Sequence, residues 1–222
     1  MSYTIYTYPD NFKVDMALIA AEYGGISNQI SVPKDFEFQG AFNKSEEFLK
    51  ISPNGFVPAM KTPEGGLFES LAMARFICRS GNDEKGLLGD GAYQSSLIDA
   101  WTDFITFYIV DNYTIYDLFG FKFSDWGMKF DQTKFDQAKE KISKGLEKID
   151  KHLKSSNGYL VGNRVTLADI WLACSLRFPL TYSLDQDFRS KYPTTFKYLQ
   201  ELYQKDQFIK IIPKFDFITA PN

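Results

Sequence analysis

Hydrophobic and polar positions along the first eighty residues change period several times. Residues 3–8, YTIYTY, alternate and are β-branched or aromatic, which predicts a strand. Pro9, Asp10 and Asn11 break it. Phe12, Met16, Ile19, Ala20 and Tyr23 then follow near i, i+4, i+7 spacing, and Gly24-Gly25 closes the helix this period predicts. SNQISV, 27–32, predicts a second strand, and SEEFLKIS, 45–52, a short helix with Ser45 as N-cap. A strand Phe56–Met60, a turn Pro63–Gly66, a short strand Leu67-Phe68 and a helix Ser70–Ser80 complete the order β-α-β-α-β-β-α.

Residues 81–92, GNDEKGLLGDGA, have no periodicity and read as a linker. Beyond them every pattern is helical. Ser95 or Ser96 is placed to cap a long helix through Leu97, Trp101, Phe104, Ile105, Tyr108 and Ile109. FSDWGMK, 123–129, reads as a loop. Residues 134–154 form an amphipathic helix with Phe135, Ile142, Leu146, Ile149 and Leu153 on one face, and two further helices follow near 166–178 and 194–211. The expected organisation is an α+β unit at 1–80, the linker 81–92 and an all-helical unit at 93–222.

Composition narrows the function classes. A net charge of −3 argues against nucleic-acid binding by bulk electrostatics. No apolar run approaches the roughly 20 residues of a membrane span, and the N-terminus lacks the pattern of a secretion signal. Cys78 and Cys174 both lie in apolar helical patterns, so a disulfide framework or cysteine metal site is not expected, and the cytosol is the economical compartment. His152, the single histidine, sits on a charged helix and is read as solvated, with no second histidine to share a metal. Lysines 139, 141, 144, 148, 151 and 154 interleave with Glu140, Glu147 and Asp150 as a salt-bridged exposed face. Arg164 and Arg177 are expected to pair with nearby acids. Aromatic content is 17%, with 21 Phe and 13 Tyr, which points to a core built of rings. The aromatic-rich stretch 111–126 is read in part as an interface for a partner or a second copy.

The candidate chemistry starts at Pro58. A proline that ends a loop and opens a strand predicts a cis Val57-Pro58 bond, with the Val57 N–H and C=O outside the sheet ladder. An extended peptide can pair with such an edge. Ser70 would begin a helix whose N-terminal N–H groups attract a carboxylate. Farther on, VGNRVTLADIWLA, 161–173, carries a capping-box variant with Thr166 as N-cap and Asp169 three residues later, flanked by Val165 and Ile170 at the staple positions.

GFVPA, ES and this capping box together resemble the glutathione S-transferase fold, a thioredoxin-like domain followed by a helical one. IYTYPDNFKVDMALIAAEYGG, EFLKISPNGFVPA, LFES and YLVGNRVTLADI look more narrowly like the N-terminal domain of the gamma subunits of translation elongation factor 1, over residues 3–212. The longer C-terminal region of that family is missing from the match, so the sequence is expected to be part of a longer protein. The resemblance implies a non-catalytic organiser of the nucleotide-exchange subunits (alpha, beta or delta type), with an aminoacyl-tRNA synthetase as a further partner. It requires no cofactor, and glutathione is a ligand candidate at Val57, Pro58, Glu69, Ser70 and Asn43. The rival reading is an active cytosolic glutathione transferase. Such an enzyme needs a hydroxyl aimed at the thiol. Tyr8 is the hydroxyl close to the tyrosine-type slot, an ungapped comparison puts Thr7 there, and catalytic and packing roles for Tyr8 both stay open. Asp10 would oppose a thiolate. Position 56, where the family's lysine meets the glycine carboxylate of glutathione, is Phe56, a loss of roughly 1.5–3 kcal/mol if a charge-assisted bond is missing. Weak glutathione binding and little turnover are expected.

Overall fold

The computed structural model describes residues 2–34, 36, 42–82, 86–120, 122, 127–156 and 158–220. The chain divides into two compact units, 1–88 and 89–222.

The first unit runs β1 (Tyr3–Tyr6), α1 (Phe12–Gly24), β2 (Ile30–Ser31), α2 (Glu46–Leu49), β3 (Ala59–Lys61), β4 (Gly66–Phe68) and α3 (Ser70–Ser80), the order the sequence predicts. The sheet order is β2-β1-β3-β4, with β1 and β2 parallel and the other two pairings antiparallel. Strand alternation sorts the side chains of β1 between two faces. Tyr3 and Ile5 are buried, and the Tyr3 ring meets Phe76 of α3 edge-on at 5.5 Å. Tyr6 points the other way, into a cluster with Phe36, Phe42 and Phe48 at 5.4, 6.0 and 5.8 Å. Rings therefore fill the α2 side of the sheet, as the composition suggested. Ser45 caps α2 by accepting from the Phe48 N–H at 3.2 Å.

Three boundaries differ from the sequence reading. The strand expected at 3–8 stops at Tyr6, because the Thr7 hydroxyl turns to the Tyr8 C=O and to the Asn11 amide, each at 3.1 Å, and Asn11 caps α1. The strand expected at 27–32 is a 3₁₀ turn, Ser27–Gln29, followed by the two residues of β2. The strand expected at Phe56–Met60 begins only at Ala59, since side chains of the preceding loop take up the backbone of Phe56.

The second unit contains α4 (Gly91–Ile105), a π-helical turn (Thr106–Val110), α5 (Asn112–Phe119), α6 (Gln132–Ser155), α7 (Leu167–Tyr182), α8 (Gln186–Arg189), α9 (Pro193–Tyr203) and α10 (Asp206–Ile211). A helix apolar on all sides belongs in the centre of a bundle. α7 is that helix: Leu167 through Arg177 are all buried, and it packs against α4, α5 and α9. α4 starts inside the expected linker, with Asp90 in the N-cap position, so Ser95 and Ser96 lie within the helix and cap nothing. Asp90 instead pairs with Arg164 at 2.6 Å. The long helix expected through Ile109 is interrupted at Thr106. The Thr106 hydroxyl donates to the Thr102 C=O at 2.7 Å and accepts from the Trp171 indole N–H at 3.0 Å, and the Asp111 N–H reaches back five residues to the Thr106 C=O. Hydroxyls that bond a preceding carbonyl disturb helical ladders in this way. The turn seats Tyr108 on Gly145 of α6, where a Cβ would lie 2.7 Å from the Tyr108 Cβ. The helix expected at 194–211 is two helices, α9 and α10, broken at Gln204-Lys205. His152 is half-buried, not solvated: its Nε2 lies 2.9 Å from the Leu160 carbonyl oxygen and its ring 4.6 Å from Trp101.

Two buried carboxylates tie helix starts together. The capping box of α7 is formed, and Asp169, fully buried, accepts from the Thr166 N–H (2.7 Å), the Thr166 hydroxyl (2.8 Å), the Leu160 N–H (2.9 Å) and the Tyr198 hydroxyl (2.6 Å). Burial pushes this carboxyl up, and the four donors oppose that shift. Asp150 of α6 accepts from the Thr195 N–H at 2.9 Å, in the first turn of α9, and from Lys154 at 2.6 Å. Burial acts to raise its pKa, but Lys154 and Thr195 outweigh it and hold the carboxyl below the usual carboxylate range.

Asp169→Ala would strand two buried N–H groups at about 1–3 kcal/mol each. A total loss of about 2–6 kcal/mol in urea unfolding is expected. For Asp150 the unfolded chain takes up its proton first as pH falls. Its stabilising contribution is therefore present above about pH 4 and lost on further acidification. Asp150→Asn should flatten the acid side of the stability curve relative to the parent chain, as measured by thermal unfolding between pH 3 and 6.

Candidate functional site

The site grows from the loop that leads into β3. Ser52, buried, has its hydroxyl 2.7 Å from Asn54 Oδ1 and 2.8 Å from the Phe56 carbonyl oxygen. Asn54 Oδ1 also accepts from the Phe56 N–H at 3.1 Å. Gly55 has φ +68°, and a Cβ there would lie 2.9 Å from the Asn43 carbonyl oxygen, so both the turn and the close approach require glycine. Asn43 stands in a 3₁₀ turn, Phe42–Lys44, and its Nδ2 donates to the Gly55 C=O at 3.2 Å. Its amide thus fastens the loop.

Val57-Pro58 is cis. Val57 belongs to no ladder pair, and among the described residues neither its N–H nor its C=O is hydrogen-bonded. The β3–β4 pairing matches Ala59 with Phe68. Val57 precedes that pair by two residues on one strand, and Ser70, the first residue of α3, follows it by two on the other. Glu69 precedes the helix with φ +66° and ψ 117°, a left-handed conformation unusual for a non-glycine residue. Val57-Pro58 and Glu69-Ser70 thus lie at the same end of the β3–β4 ladder, and Asn43 fastens the loop that leads to it.

Lys13 lies in the first turn of α1. Burial pushes its ammonium down from the ordinary lysine value, and the Glu69 carboxylate acts in the opposite direction. Tyr8 is half-buried between β1 and α1. The Thr7 hydroxyl is buried and engaged by Tyr8 and Asn11. Thr166 and Asp169 serve the start of α7 in the second unit. The aromatic stretch 111–126 contributes Ile115, Leu118 and Phe119 to the core, with Phe119 5.1 Å from Phe178, while 121 and 123–126 lie outside the described residues. Among the described residues there is no cluster of three or more metal-ligating side chains and no helix long and apolar enough to cross a membrane.

Two features were missed in the sequence: Lys13 and the exposure of Phe56, whose ring is 68% accessible. The signal for Lys13 was legible, because a cation in the first turn opposes the helix dipole and calls for a local reason. The signal for Phe56 was weaker, since its presentation depends on Ser52 and Asn54.

Residues 1–79 match the N-terminal domain and 101–206 the C-terminal domain of glutathione S-transferases. A solved glutathione S-transferase-I bound to lactoylglutathione superposes with a TM-score of 0.82, covering 95% of this chain and 98% of that one at 22% identity. The chain belongs to the glutathione S-transferase family, with both of its domains. Its curated relatives include elongation factor 1-gamma proteins. The Arabidopsis thaliana protein named "Probable elongation factor 1-gamma 1" is 35% identical over 212 residues, covering 96% of this chain and 49% of the relative. Elongation factor 1-gamma of Artemia salina is 34% identical over 214 residues, 95% of this chain and 46% of that protein. The chain spans about half the length of the curated relatives it matches.

The loop is held against β4 by a close approach at Gly66, where a Cβ would lie 2.3 Å from the Ile51 Cα and 2.8 Å from the Lys50 carbonyl oxygen. Gly66→Ala must displace that turn. The expected loss is about 1–3 kcal/mol, read in thermal unfolding together with faster amide exchange at residues 50–56.

Proposed function

We propose that this chain is a non-catalytic organiser in translation elongation, working in the cytoplasm and holding nucleotide-exchange subunits of the elongation factor 1 complex. An aminoacyl-tRNA synthetase and a second copy of the chain are further partners on this reading, glutathione is a weak ligand, and no cofactor is required. The observation that carries it is the state of the Thr7 hydroxyl beside α1. Thr7 is buried and committed to Tyr8 and Asn11, and Asp10 adds a negative charge where a transferase would have to stabilise a thiolate. The peptide-facing half, Val57 with Glu69 and Ser70, is open by contrast. Supporting the translation assignment are the elongation factor 1-gamma relatives, which match nearly the whole chain.

Two measurements test the proposal. Mixed with the purified N-terminal region of an exchange subunit, the chain should elute as a stoichiometric complex in size-exclusion chromatography; separate elution at micromolar concentrations contradicts the reading. In a conjugation assay with glutathione and a chloronitrobenzene acceptor, the wild type and Tyr8→Phe should both stay at the uncatalysed rate. A substantial rate that Tyr8→Phe abolishes would establish the transferase reading in its place.

A further inference from the structure

The residues that follow α10 form a strip with a groove of its own. From Lys214 to Phe217 exposed and half-buried residues alternate, the pattern of an extended chain. Both ends of the strip are fixed. The Ile212 N–H donates to the Phe208 C=O at 2.8 Å, the Ile218 N–H to the Leu180 C=O at 2.9 Å, and the Arg189 guanidinium to the Ile218 C=O at 2.6 Å. The inward rings pack on Tyr203 of α9, Phe215 at 5.1 Å and Phe217 at 6.2 Å, and the Tyr203 hydroxyl donates to the Ala173 C=O at 2.6 Å. Between these anchors the backbone N–H and C=O groups of Lys214, Phe215, Asp216 and Phe217 make no hydrogen bond among the described residues. Alongside runs a groove of about 560 Å³. Ile209, 57% exposed, and Ile212 line it with Phe215, and two exposed glutamines one turn apart on α9, Gln200 and Gln204, add amides.

A row of unpaired main-chain groups held at both ends is matched by another main chain better than by a side chain or a small molecule. Lys214 and Asp216, both exposed, put charges of opposite sign two residues apart on the strip. Strand pairing sets one partner residue directly opposite each of them, where opposite charges attract and like charges repel. The partner residue between those two stands opposite Phe215 and shares its face, which is turned to the groove. We propose that the strip receives an extended segment of a partner polypeptide, its main chain paired with Lys214–Phe217, a base opposite Asp216, an acid opposite Lys214 and a large apolar side chain between them in the groove beside Ile209. This inference gives the organiser reading a contact surface of defined chemistry, and rests on that reading for the existence of a polypeptide partner.

The test titrates the full ¹⁵N-labelled chain with two peptides blocked at both ends, Thr-Thr-Lys-Leu-Glu-Thr-Thr and the reversed order Thr-Thr-Glu-Leu-Lys-Thr-Thr. The first matches the two charges in antiparallel pairing and the second in parallel pairing. One order should bind about tenfold more tightly than the other, shift the amide signals of Lys214–Phe217 and slow their exchange with solvent. Replacing the peptide leucine by serine should weaken it about tenfold. The double variant Lys214→Asp, Asp216→Lys changes only exposed side chains, so it should keep the melting temperature of the parent and reverse the preference between the two orders. Failure of both peptides to bind at millimolar concentration, binding that leaves the signals of Lys214–Phe217 unmoved, equal affinity for the two orders, or a preference that survives the charge exchange would each overturn the inference. So would signals of the strip that already change with protein concentration before peptide is added, since a second copy would then occupy the groove. The complex with an exchange subunit is scored separately: if it forms while the peptides fail, the organiser reading stands and its contact lies on another surface.

Discussion

The antiparallel pairing of β3 with β4 is the constraint on which the site depends. Ala59 opposite Phe68 is the last pair of the ladder, and it brings Val57-Pro58 and Glu69-Ser70 to the same end of the sheet. A slip of one residue would turn every side chain of β3 to the other face and carry Val57 away from the start of α3. Two glycines keep the register from drifting. Gly66 lets β4 lie against the Lys50-Ile51 turn, and Gly55 lets the loop lie against Asn43, so the strip is clamped from both sides. What remains outside the ladder is one residue of open backbone, flanked by charge on one side and by an exposed ring on the other.

The helical unit solves a different problem by similar means. α7 is apolar on nearly every side, and its first turn would bury unpaired N–H groups unless a side chain met them. Asp169 meets the Thr166 N–H and also gathers the Leu160 N–H and the Tyr198 hydroxyl, which draws a loop and α9 onto the start of the central helix. Asp150 repeats the device between α6 and α9. Both carboxylates are structural, and their near-complete burial explains why they sit in this unit without marking a reaction centre.

Local chemistry was legible in the sequence, and packing was not. Ser45, Thr166 and Asp169 were readable as caps because a cap and its target lie within a few residues of one another. The end of the first strand and the start of the third were misplaced because Asn11 reaches back to Thr7, and because Ser52 and Asn54 reach forward to Phe56; periodicity contains neither bond. The break at Thr106 depends on an indole 65 residues away and on the space that Gly145 leaves for Tyr108. The candidate site was half legible. Val57, Pro58 and Ser70 came from the proline and the helix start and Glu69 from the family resemblance, whereas the burial of Lys13 depends on the folded surroundings of α1.

The central claim is that Val57 presents an unpaired backbone edge to a peptide, and its amide proton reports on this directly. Hydrogen exchange followed by ¹⁵N NMR should show the Val57 amide exchanging near the rate of an unstructured chain while Met60, one step inside the ladder, is strongly protected. A Val57 amide protected to the same degree as Met60 would mean that the edge is already occupied, and would contradict the account.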